Sequence, residues 1–299
     1  MNKTYIYMPW CAVREFPSPS VETFPDGETG ITIPPVEPTD HVVLYGSCHD
    51  AQASETFLAT AYEVAYQGPA SLTVVNTYFR HARSDRRFDE RTAVMAKFQA
   101  RQWSGLGHIF PGVRLMFLHL HSDQILSFFE GPVRTSNVSG FPVLERLWRH
   151  EHQDMPNVVY ATVDHGGVHE VRKLINRHHG PGKPYIGFAS IEKKRYSSTE
   201  TQVLGIQGDV RGMNVVIFDD MISTGGSLVQ AAEAYKKQGA LSITALATHG
   251  VFVGDALERL QAAPIDQVWV TDSHPNVFPV NRAPNFLQVV SFDVDDFNL

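Results

Sequence analysis

Short apolar runs alternate with amphipathic segments along most of the chain, a pattern that predicts an α/β fold. A strand inside a parallel sheet is buried on both faces, so it reads as a continuous apolar run. The expected strands are 41–47, 71–79, 114–121, 157–164, 184–191, 214–219, 242–249 and 267–273. The expected helices are one that Ser54 caps, one within 92–102, and others at 167–179, 227–238 and 254–262. Mostly parallel sheets covered by helices on both faces account for this pattern.

The chain of 299 residues is long enough for two ordinary domains. The least periodic stretch after the first forty residues is 132–156, which contains SNVSG and EHQDMPN and is the expected junction. We therefore expect an N-terminal domain over 1–134 and a C-terminal domain over 135–299. The last strand is expected to pack back on the N-terminal domain.

The composition, with 43% hydrophobic and 19% charged residues, is typical of a folded, water-soluble chain. The formal net charge of −7 argues against nucleic acid as a partner, because phosphate backbones attract basic surfaces. Cys11 and Cys48 form no CxxC pair, so neither a disulfide framework nor a thiolate zinc site is expected. The N-terminus lacks the apolar core of a signal peptide, and no run approaches a membrane span. A cytoplasmic protein without a membrane partner is the expectation.

The stretch VVIFDDMISTGG places two carboxylates, Asp219 and Asp220, where a buried strand is expected to end. Ligands of parallel sheets bind beyond the carboxyl ends of the strands, so these acids lie where a site is expected. Gly225 and Gly226 lack a Cβ and allow the following turn to direct its backbone N–H groups inward. Together with a helix that begins near Ser227, the turn is expected to form a phosphate cradle.

Carboxylates accept hydrogen bonds from hydroxyl groups and can anchor Mg²⁺ through water, but they do not hold a phosphate. A phosphate cradle beside an acidic pair therefore suits a ribose that carries a 5-phosphate. The alternative interpretation is a strand followed by an N-capped helix, with two incidental acids.

The same stretch resembles the ribose-phosphate binding motif of type I phosphoribosyltransferases and of phosphoribosyl pyrophosphate (PRPP) synthetases. Further segments, in the same order along the chain, favour similarity to the PRPP synthetases. These segments are FPDGE (24–28), YFRHARSDRRFDERTAVMAK (78–97), HLHSDQILSFF (119–129), VDHGGVHEVRK (163–173), SIEKKR (190–195) and ATHGVFVGDALERL (247–260). The resemblance implies two type I phosphoribosyltransferase-like domains, each a mostly parallel sheet flanked by helices. It also implies Mg²⁺-dependent transfer of the β,γ-diphosphoryl group of ATP to the 1-hydroxyl of a 5-phosphorylated ribose.

The resemblance implies roles for particular residues of this chain. The residues implied in ATP binding are Phe24, Asp26, Glu28, Arg83, Ser84, Arg86 and Arg91. The residues implied in ribose-phosphate binding are Asp219, Asp220, Ser223, Thr224, Gly225, Gly226 and Ser227. The catalytic residues implied are Lys193, Arg195 and His121, and the implied metal ligands are His121 and Asp164. Arg86 has an alternative interpretation, because an arginine-rich run with interspersed acids also fits a solvated helix face.

The resemblance also implies an assembly. In this family the loop that corresponds to FPDGE reaches the site from a neighbouring subunit, so a homo-oligomer, either a dimer or a hexamer, is expected.

The chain departs from the family pattern at positions that bear on the acceptor. Ser223 stands where the family loop has an aspartate, and LQVVSFDVDDFNL is not followed by the usual final helix. One charge fewer beside the phosphate would repel a second attached phosphate less. ADP-ribose, which would connect the reaction to NAD metabolism, is therefore an expected acceptor beside ribose 5-phosphate.

Two other classes of protein stay open, a phosphoribosyltransferase and a non-catalytic regulatory relative of a synthetase. The ATP-side segments at 24–28 and 78–97 argue against a phosphoribosyltransferase. The joint presence of Asp164, Lys193, Arg195 and the acidic pair argues against a regulator, since a protein that only binds needs no catalytic loop.

Overall fold

The computed structural model describes residues 3–11, 16–177, 186–195, 201–277, 284–292 and 294–297, with the backbone alone at 193–195, 201–204 and 294–295. The chain forms two compact units and passes from the first to the second between Ser139 and Gly140. The short segment Ser273–Pro275 and the described residues 294–297 belong to the first unit, although they come late in the chain.

A parallel sheet is the centre of the first unit. The strands of this unit are β1 (Lys3–Tyr7), β2 (Ser20–Thr23), β3 (Thr29–Thr32), β4 (His41–Gly46), β5 (Ser71–Asn76), β6 (Arg114–Leu118) and β7 (Arg134–Val138). Five of them form the parallel sheet in the order β1-β4-β5-β6-β7, and β2 pairs with β3 as an antiparallel hairpin. The inner strands β4 and β5 are almost wholly buried, as expected for strands that are covered on both faces.

Aromatic packing holds the helices of the first unit in place. These helices are α1 (Ala51–Tyr66), α2 (Met95–Ser104) and α3 (Leu106–Ile109), with a 3₁₀ helix at Asp123–Phe128. Phe57 of α1 and Trp103 of α2 are both buried and meet edge to face, with ring centroids 5.2 Å apart. Such a pair adds about 0.5–1.5 kcal/mol to the free energy gained from burial alone.

A seven-stranded sheet is the centre of the second unit. Its strands are β8 (Val158–Thr162), β9 (Gly187–Arg195), β10 (Thr201–Gln207), β11 (Asn214–Ile222), β12 (Ser242–Gly250), β13 (Gln267–Thr271) and β14 (Leu287–Val290). Its helices are α4 (Phe141–Glu151), α5 (Val168–Asn176), α6 (Gly226–Lys237) and α7 (Ala256–Ala262). The order is β10-β9-β8-β11-β12-β13-β14, in which β10 is antiparallel to β9 and the other neighbours are parallel. The buried Tyr235 of α6 donates its hydroxyl to the carbonyl of Thr162 at 2.9 Å and ties a covering helix to the end of β8.

The α/β fold class is confirmed, and each of the eight expected strands has a counterpart. The described elements that the sequence does not predict are β1, β2, β3, β7, β10, β14, α3, α4 and the two 3₁₀ helices, Asp123–Phe128 and Val294–Phe297. Strand β7 (RTSNV) is polar and only half-buried at the edge of its sheet, so it lacks an apolar run. Helix α4 lies inside the stretch taken as a junction, and its buried positions Phe141, Leu144 and Trp148 follow helical spacing.

The last described strand belongs to the second unit, and its packing on the N-terminal domain stays a prediction. Strand β14 pairs with β13 in the second unit, where Leu287 lies opposite Val268. The 3₁₀ turn Val294–Phe297 that follows belongs to the first unit, where the Phe297 ring lies edge to face with Tyr45, centroids 6.5 Å apart. Among the helices of the described residues, none has the length and apolar character needed to cross a bilayer.

The first helix begins earlier than the sequence predicts, because its cap is Asp50 rather than Ser54. Asp50 Oδ1 accepts a hydrogen bond from the backbone N–H of Ala53 at 2.7 Å, as an N-cap side chain does. Ser54 lies inside the helix, where its hydroxyl donates to the carbonyl of Asp50 at 2.7 Å. The expectation of a Ser54 cap is therefore wrong. Aspartate and serine both cap helices well, and only the structure shows that the helix begins after Asp50.

We expect Asp50→Ala to lower the free energy of unfolding by about 1 kcal/mol, because one N–H group of the first turn loses its acceptor. Denaturant unfolding followed by circular dichroism measures the change. The matched control is Ser54→Ala, which removes a hydroxyl that is not the cap and should cost less than half as much. A larger loss for Ser54→Ala than for Asp50→Ala would contradict the assignment of the cap.

Candidate active site

The acidic pair lies at the carboxyl edge of the second sheet, inside a strand that is longer than expected. Strand β11 runs to Ile222 rather than ending at 219, so Asp219 and Asp220 belong to the strand itself. Its pairing with β8 stops where Phe218 lies opposite Thr162, whereas its pairing with β12 continues to Ile222. The two acids are therefore past the end of one neighbouring strand while the other still fixes their backbone.

Three carboxyl groups interact at this edge. Asp219 Oδ1 accepts a hydrogen bond from the backbone N–H of Asp220 at 3.0 Å, and Asp164 Oδ1 accepts one from Gly166 at 2.8 Å. Burial of the carboxyl, the neighbouring Asp220 carboxylate and the charge of Asp164 raise the pKa of Asp219 well above its ordinary value. Asp219 therefore favours a proton, a hydroxyl donor or a cation as its partner.

The turn after β11 depends on a glycine in a left-handed conformation. Gly225 has a φ of +76°, and a Cβ at this position would lie 3.3 Å from Leu260 Cγ. Gly225 is also the N-cap of α6, and it has no side chain that could accept hydrogen bonds from the first N–H groups of the helix. These N–H groups and the helix dipole favour an anion, which suits the predicted phosphate cradle.

The segment 251–253 is hydrogen-bonded to the residues that lead into the turn. The carbonyl of Ile222 accepts hydrogen bonds from Val251 at 3.0 Å and Phe252 at 3.1 Å, and the carbonyl of Ser223 accepts one from Val253 at 2.9 Å. Phe252 adopts a φ of +43°, which is uncommon for an aromatic residue and often accompanies a functional loop. The segment 251–253 lies within the motif at 247–260, which the sequence analysis identified. Its hydrogen bonds to the turn could not be predicted from the sequence and are shown by the structure.

The FPDGE loop is the turn of the β2-β3 hairpin. The backbone N–H of Phe24 donates to Glu28 at 2.8 Å, and that of Gly27, with a φ of +90°, donates to Phe24 at 2.9 Å. Asp26 accepts from the backbone N–H of Glu28 at 3.1 Å, so its carboxylate takes part in the turn. The Phe24 ring is 47% exposed and lies over Gly30, 3.1 Å from where a Cβ would stand. The hairpin thus presents an aromatic ring outward.

Ser84 has a structural role in the segment that follows β5. Its hydroxyl donates to the carbonyl of Ala93 at 3.2 Å and accepts from the backbone N–H of Met95 at 3.2 Å. The N-cap residue of helix α2, Val94, makes no capping hydrogen bond with its side chain. The Ser84 hydroxyl, which is distant in sequence, caps the helix instead. A role of Ser84 in ATP binding remains a prediction.

The arginines predicted for ATP binding are exposed on the surface of the first unit. Arg86 pairs with the buried Asp85, with 3.3 Å between Nε and Oδ1, and this contact directs its side chain. The backbone N–H of Arg91 donates to Asp89 at 2.8 Å in a local turn. The exposed side chain of Arg83 lies in the same segment.

The predicted catalytic residues fall into both units. His121 is exposed just after β6, and the preceding His119 is buried with a φ of +45°. Lys193 and Arg195 lie on β9 opposite Val203 and Thr201 of β10, and their side chains lie outside the described residues.

Parallel sheets with ligand-binding groups at a carboxyl strand end and at a helix N-terminus are typical of α/β proteins that bind phosphorylated ligands. The fold of a solved phosphoribosylpyrophosphate synthetase from Mycobacterium smegmatis is similar, with a TM-score of 0.78, 23% identity, and coverage of 97% of this chain and 95% of that chain. The two-sheet fold that the resemblance implies is confirmed.

Sequence comparisons identify the family within this class. A family model described as a phosphoribosyl synthetase-associated domain matches residues 181–291. The ribose-phosphate pyrophosphokinase of Nitrosomonas europaea is 36% identical over 260 residues, covering 86% of this chain and 78% of that protein. The enzyme of the same name from Helicobacter hepaticus is 32% identical over 284 residues, covering 91% of this chain and 86% of that protein. The chain belongs to the ribose-phosphate pyrophosphokinase family, which confirms the resemblance to PRPP synthetases and the prediction of an enzyme.

The raised pKa of Asp219 predicts a pH-dependent stability. The folded protein favours the protonated carboxyl, so this stabilisation is complete below the ordinary Asp value of 3.8 and is lost as pH rises through the raised pKa. We therefore expect Asp219→Asn to raise the free energy of unfolding at pH 8 relative to the wild-type protein, because the amide carries no charge that is repelled by Asp220 and Asp164. Unfolding curves measured from pH 5 to 8.5 in a chelator, with no substrate, test this.

The control for this experiment is Asp154→Asn, which makes the same chemical change at an exposed position. Its stability should follow the wild-type pH profile. A wild-type protein that does not lose stability relative to Asp219→Asn between pH 5 and 8.5 would show that the carboxyl is not strained.

Proposed function

We propose that the chain transfers the β,γ-diphosphoryl group of ATP to the 1-hydroxyl of a 5-phosphorylated ribose. The 1-hydroxyl oxygen attacks the β-phosphorus, the bond from that phosphorus to the α,β-bridging oxygen breaks, AMP leaves, and the hydroxyl proton passes to solvent or a base. The observation that carries the proposal is the raised pKa of Asp219 beside a glycine turn in a member of this family. An acidic pair that needs hydrogen-bond donors lies next to a turn that favours an anion, as a ribose phosphate requires.

The ribose-phosphate site consists of the acidic pair and the turn. Asp219 and Asp220 accept hydrogen bonds from the ribose hydroxyls, and each such charge-assisted bond contributes about 1.5–3 kcal/mol. Ser223, Thr224 and the backbone N–H groups from Gly225 to Ser227 bind the 5-phosphate. The exposure of the Thr224 and Ser227 side chains gives a phosphate access to both hydroxyls.

The carboxylates at this edge suit a magnesium ion, because Mg²⁺ prefers oxygen ligands and its charge offsets the repulsion that raises the pKa of Asp219. Within the described residues, no group of three or more His, Cys, Asp or Glu side chains is arranged to hold a metal ion. Mg²⁺ commonly uses one or two carboxylates together with waters and substrate phosphates. Asp164 is the proposed ligand at this edge, and an ion held there would neutralise charge on the transferring phosphates. His121 is the proposed metal ligand of the first unit.

The proposed residues for the diphosphoryl donor, ATP, belong to the first unit and to the segment SIEKKR (190–195) of the second unit. Phe24 packs on the adenine ring, with Asp26 and Glu28 at its polar edge, and this hairpin reaches the site of a neighbouring subunit in a homo-oligomer. The exposed side chains of Arg83, Arg86 and Arg91 bind the phosphates of ATP. Phosphoryl transfer depends mainly on positioning and charge neutralisation, which is the role proposed for Lys193 and Arg195.

The reaction type is tested by its nucleotide product. With MgATP and ribose 5-phosphate or ADP-ribose, the stoichiometric product should be AMP, because the whole diphosphoryl group moves. Phosphorus NMR distinguishes AMP from ADP directly, and Asp219→Asn combined with Asp220→Asn is the matched inactive control. ADP as the stoichiometric product would exclude diphosphoryl transfer.

Two acceptors are proposed, ribose 5-phosphate and ADP-ribose. The relatives are ribose-phosphate pyrophosphokinases by name, which favours a simple ribose phosphate such as ribose 5-phosphate. The observation that favours ADP-ribose is Ser223, which stands where the corresponding loop of the family has an aspartate. The serine removes one negative charge beside the proposed phosphate. The AMP extension of ADP-ribose would then be attached to the phosphate held by the turn.

A competition between the two acceptors decides this point. Equal concentrations are offered with limiting MgATP, and the products are separated by mass. We expect a product heavier than ADP-ribose by one diphosphate if the loss of charge at position 223 governs the choice, with Ser223→Asp shifting the ratio toward PRPP. Exclusive formation of PRPP by the wild-type protein would exclude ADP-ribose as the acceptor.

A further inference from the structure

An unfilled space above Gly226 is bordered by two polar side chains. A Cβ built on Gly226 would have as its nearest neighbours Arg259 Nη1 at 3.8 Å and Thr224 Oγ1 at 3.9 Å. A guanidinium and a hydroxyl thus face one small volume, which a side chain at 226 would occupy. Gly226 is the first residue of α6, so the backbone N–H groups of its first turn lie beside the same volume.

Helix α7 fixes the position of Arg259 beside the turn. A Cβ built on Gly225 would lie 3.3 Å from Leu260 Cγ and 3.6 Å from the carbonyl oxygen of Ala256. The first turn of α7 therefore packs directly against the glycine turn. Leu260 is fully buried, so the residue before it cannot move far from the turn without disturbing the core.

An ion pair on the same helix orients the guanidinium. Arg259 Nη2 donates to both carboxylate oxygens of Asp255, at 2.8 Å and 3.0 Å. Both bonds use Nη2, while Nη1 is the atom nearest to the space above Gly226. An arginine held in this way loses little further side-chain freedom when it binds an anion.

The acidic residues of the same unit favour a cation beside a bound phosphate. Asp164, Asp219 and Asp220 lie in the same unit, and a phosphate bound near them is repelled by their charge. Backbone N–H groups alone provide only partial charges. Arg259 brings a full positive charge to the turn on the side where the phosphate is proposed.

We propose that Arg259, together with Thr224, binds a phosphate oxygen of the acceptor in the space above Gly226. The residue is thus a further binding residue of the acceptor site, and Asp255 positions it. This inference rests on the proposed function, because it identifies the group that holds the acceptor phosphate. It separates binding of the acceptor from the chemical step, which belongs to other residues.

The test compares Arg259→Ala, Arg259→Lys and Gly226→Ala with the wild-type protein. Gly226→Ala is informative because its Cβ would make only ordinary contacts at 3.8 Å, so the fold tolerates it while the space is filled. The matched control is Lys237→Ala, which removes one exposed positive charge at the other end of α6. Thermal unfolding of all four variants establishes that they fold.

We expect Arg259→Ala and Gly226→Ala each to raise the KM for the acceptor about tenfold or more, while kcat and the KM for ATP change less than twofold. Arg259→Lys should recover part of the loss, and Lys237→Ala should match the wild-type protein. Calorimetry with ribose 5-phosphate alone, without ATP, should show the same loss of affinity in both variants. That measurement needs no turnover, so it supports the inference even if diphosphoryl transfer is disproved.

Wild-type affinity for ribose 5-phosphate in folded Arg259→Ala and Gly226→Ala would overturn the inference. A wild-type protein that does not bind ribose 5-phosphate in the calorimeter would also overturn it. A fall in kcat with an unchanged acceptor KM would place Arg259 in the chemical step and contradict a binding role.

Discussion

The active site depends on a carboxylate that the fold holds in an unfavourable environment. Asp219 lies within β11, where burial and the neighbouring Asp220 and Asp164 carboxyls raise its pKa well above the ordinary value. Strand pairing with β12 fixes its backbone, which keeps the carboxyl beside the other two acids. A hydroxyl donor or a cation bound to Asp219 would offset the cost of its negative charge. The carboxyl that favours a ligand therefore lowers the stability of the unliganded protein.

The geometry of the turn follows from the same part of the sheet. Because β11 continues to Ile222, the chain has only the residues from Ser223 to Gly225 in which to reverse direction and begin α6. The turn uses a left-handed residue at Gly225, where a side chain would be strained and its Cβ would lie only 3.3 Å from Leu260 Cγ. Gly225 is therefore needed for the backbone path, and the next residue, Gly226, leaves space beside the helix N-terminus that is available to a ligand.

Periodicity predicted the parts of this structure that are buried on both faces, because such strands must be apolar throughout. Strands such as β7 and the hairpin β2-β3 are partly exposed, and their polar residues carry no period that distinguishes them from loops. The end of β11 at Ile222 could not be predicted, because two consecutive acids indicate the end of a buried strand at 219. The motif identified the acidic pair and the glycines, but it could not show that α7 packs on the turn, since this contact joins residues about 35 positions apart.

The identity of the acceptor is the feature least accessible from sequence, and the reason is physical. In the proposed acceptor site, the acidic pair and the turn bind only the ribose and its first phosphate, which the two proposed acceptors share. Discrimination must come from groups outside that common part, where one charge more or less changes the repulsion of a second phosphate. Ser223 lowers that repulsion and Arg259 adds attraction next to Gly226, yet Asp255 partly neutralises this arginine. On this proposal, the charges of Arg259 and Asp255 and the neutral Ser223, rather than the presence of any motif, set how much of a phosphorylated ribose the site accepts.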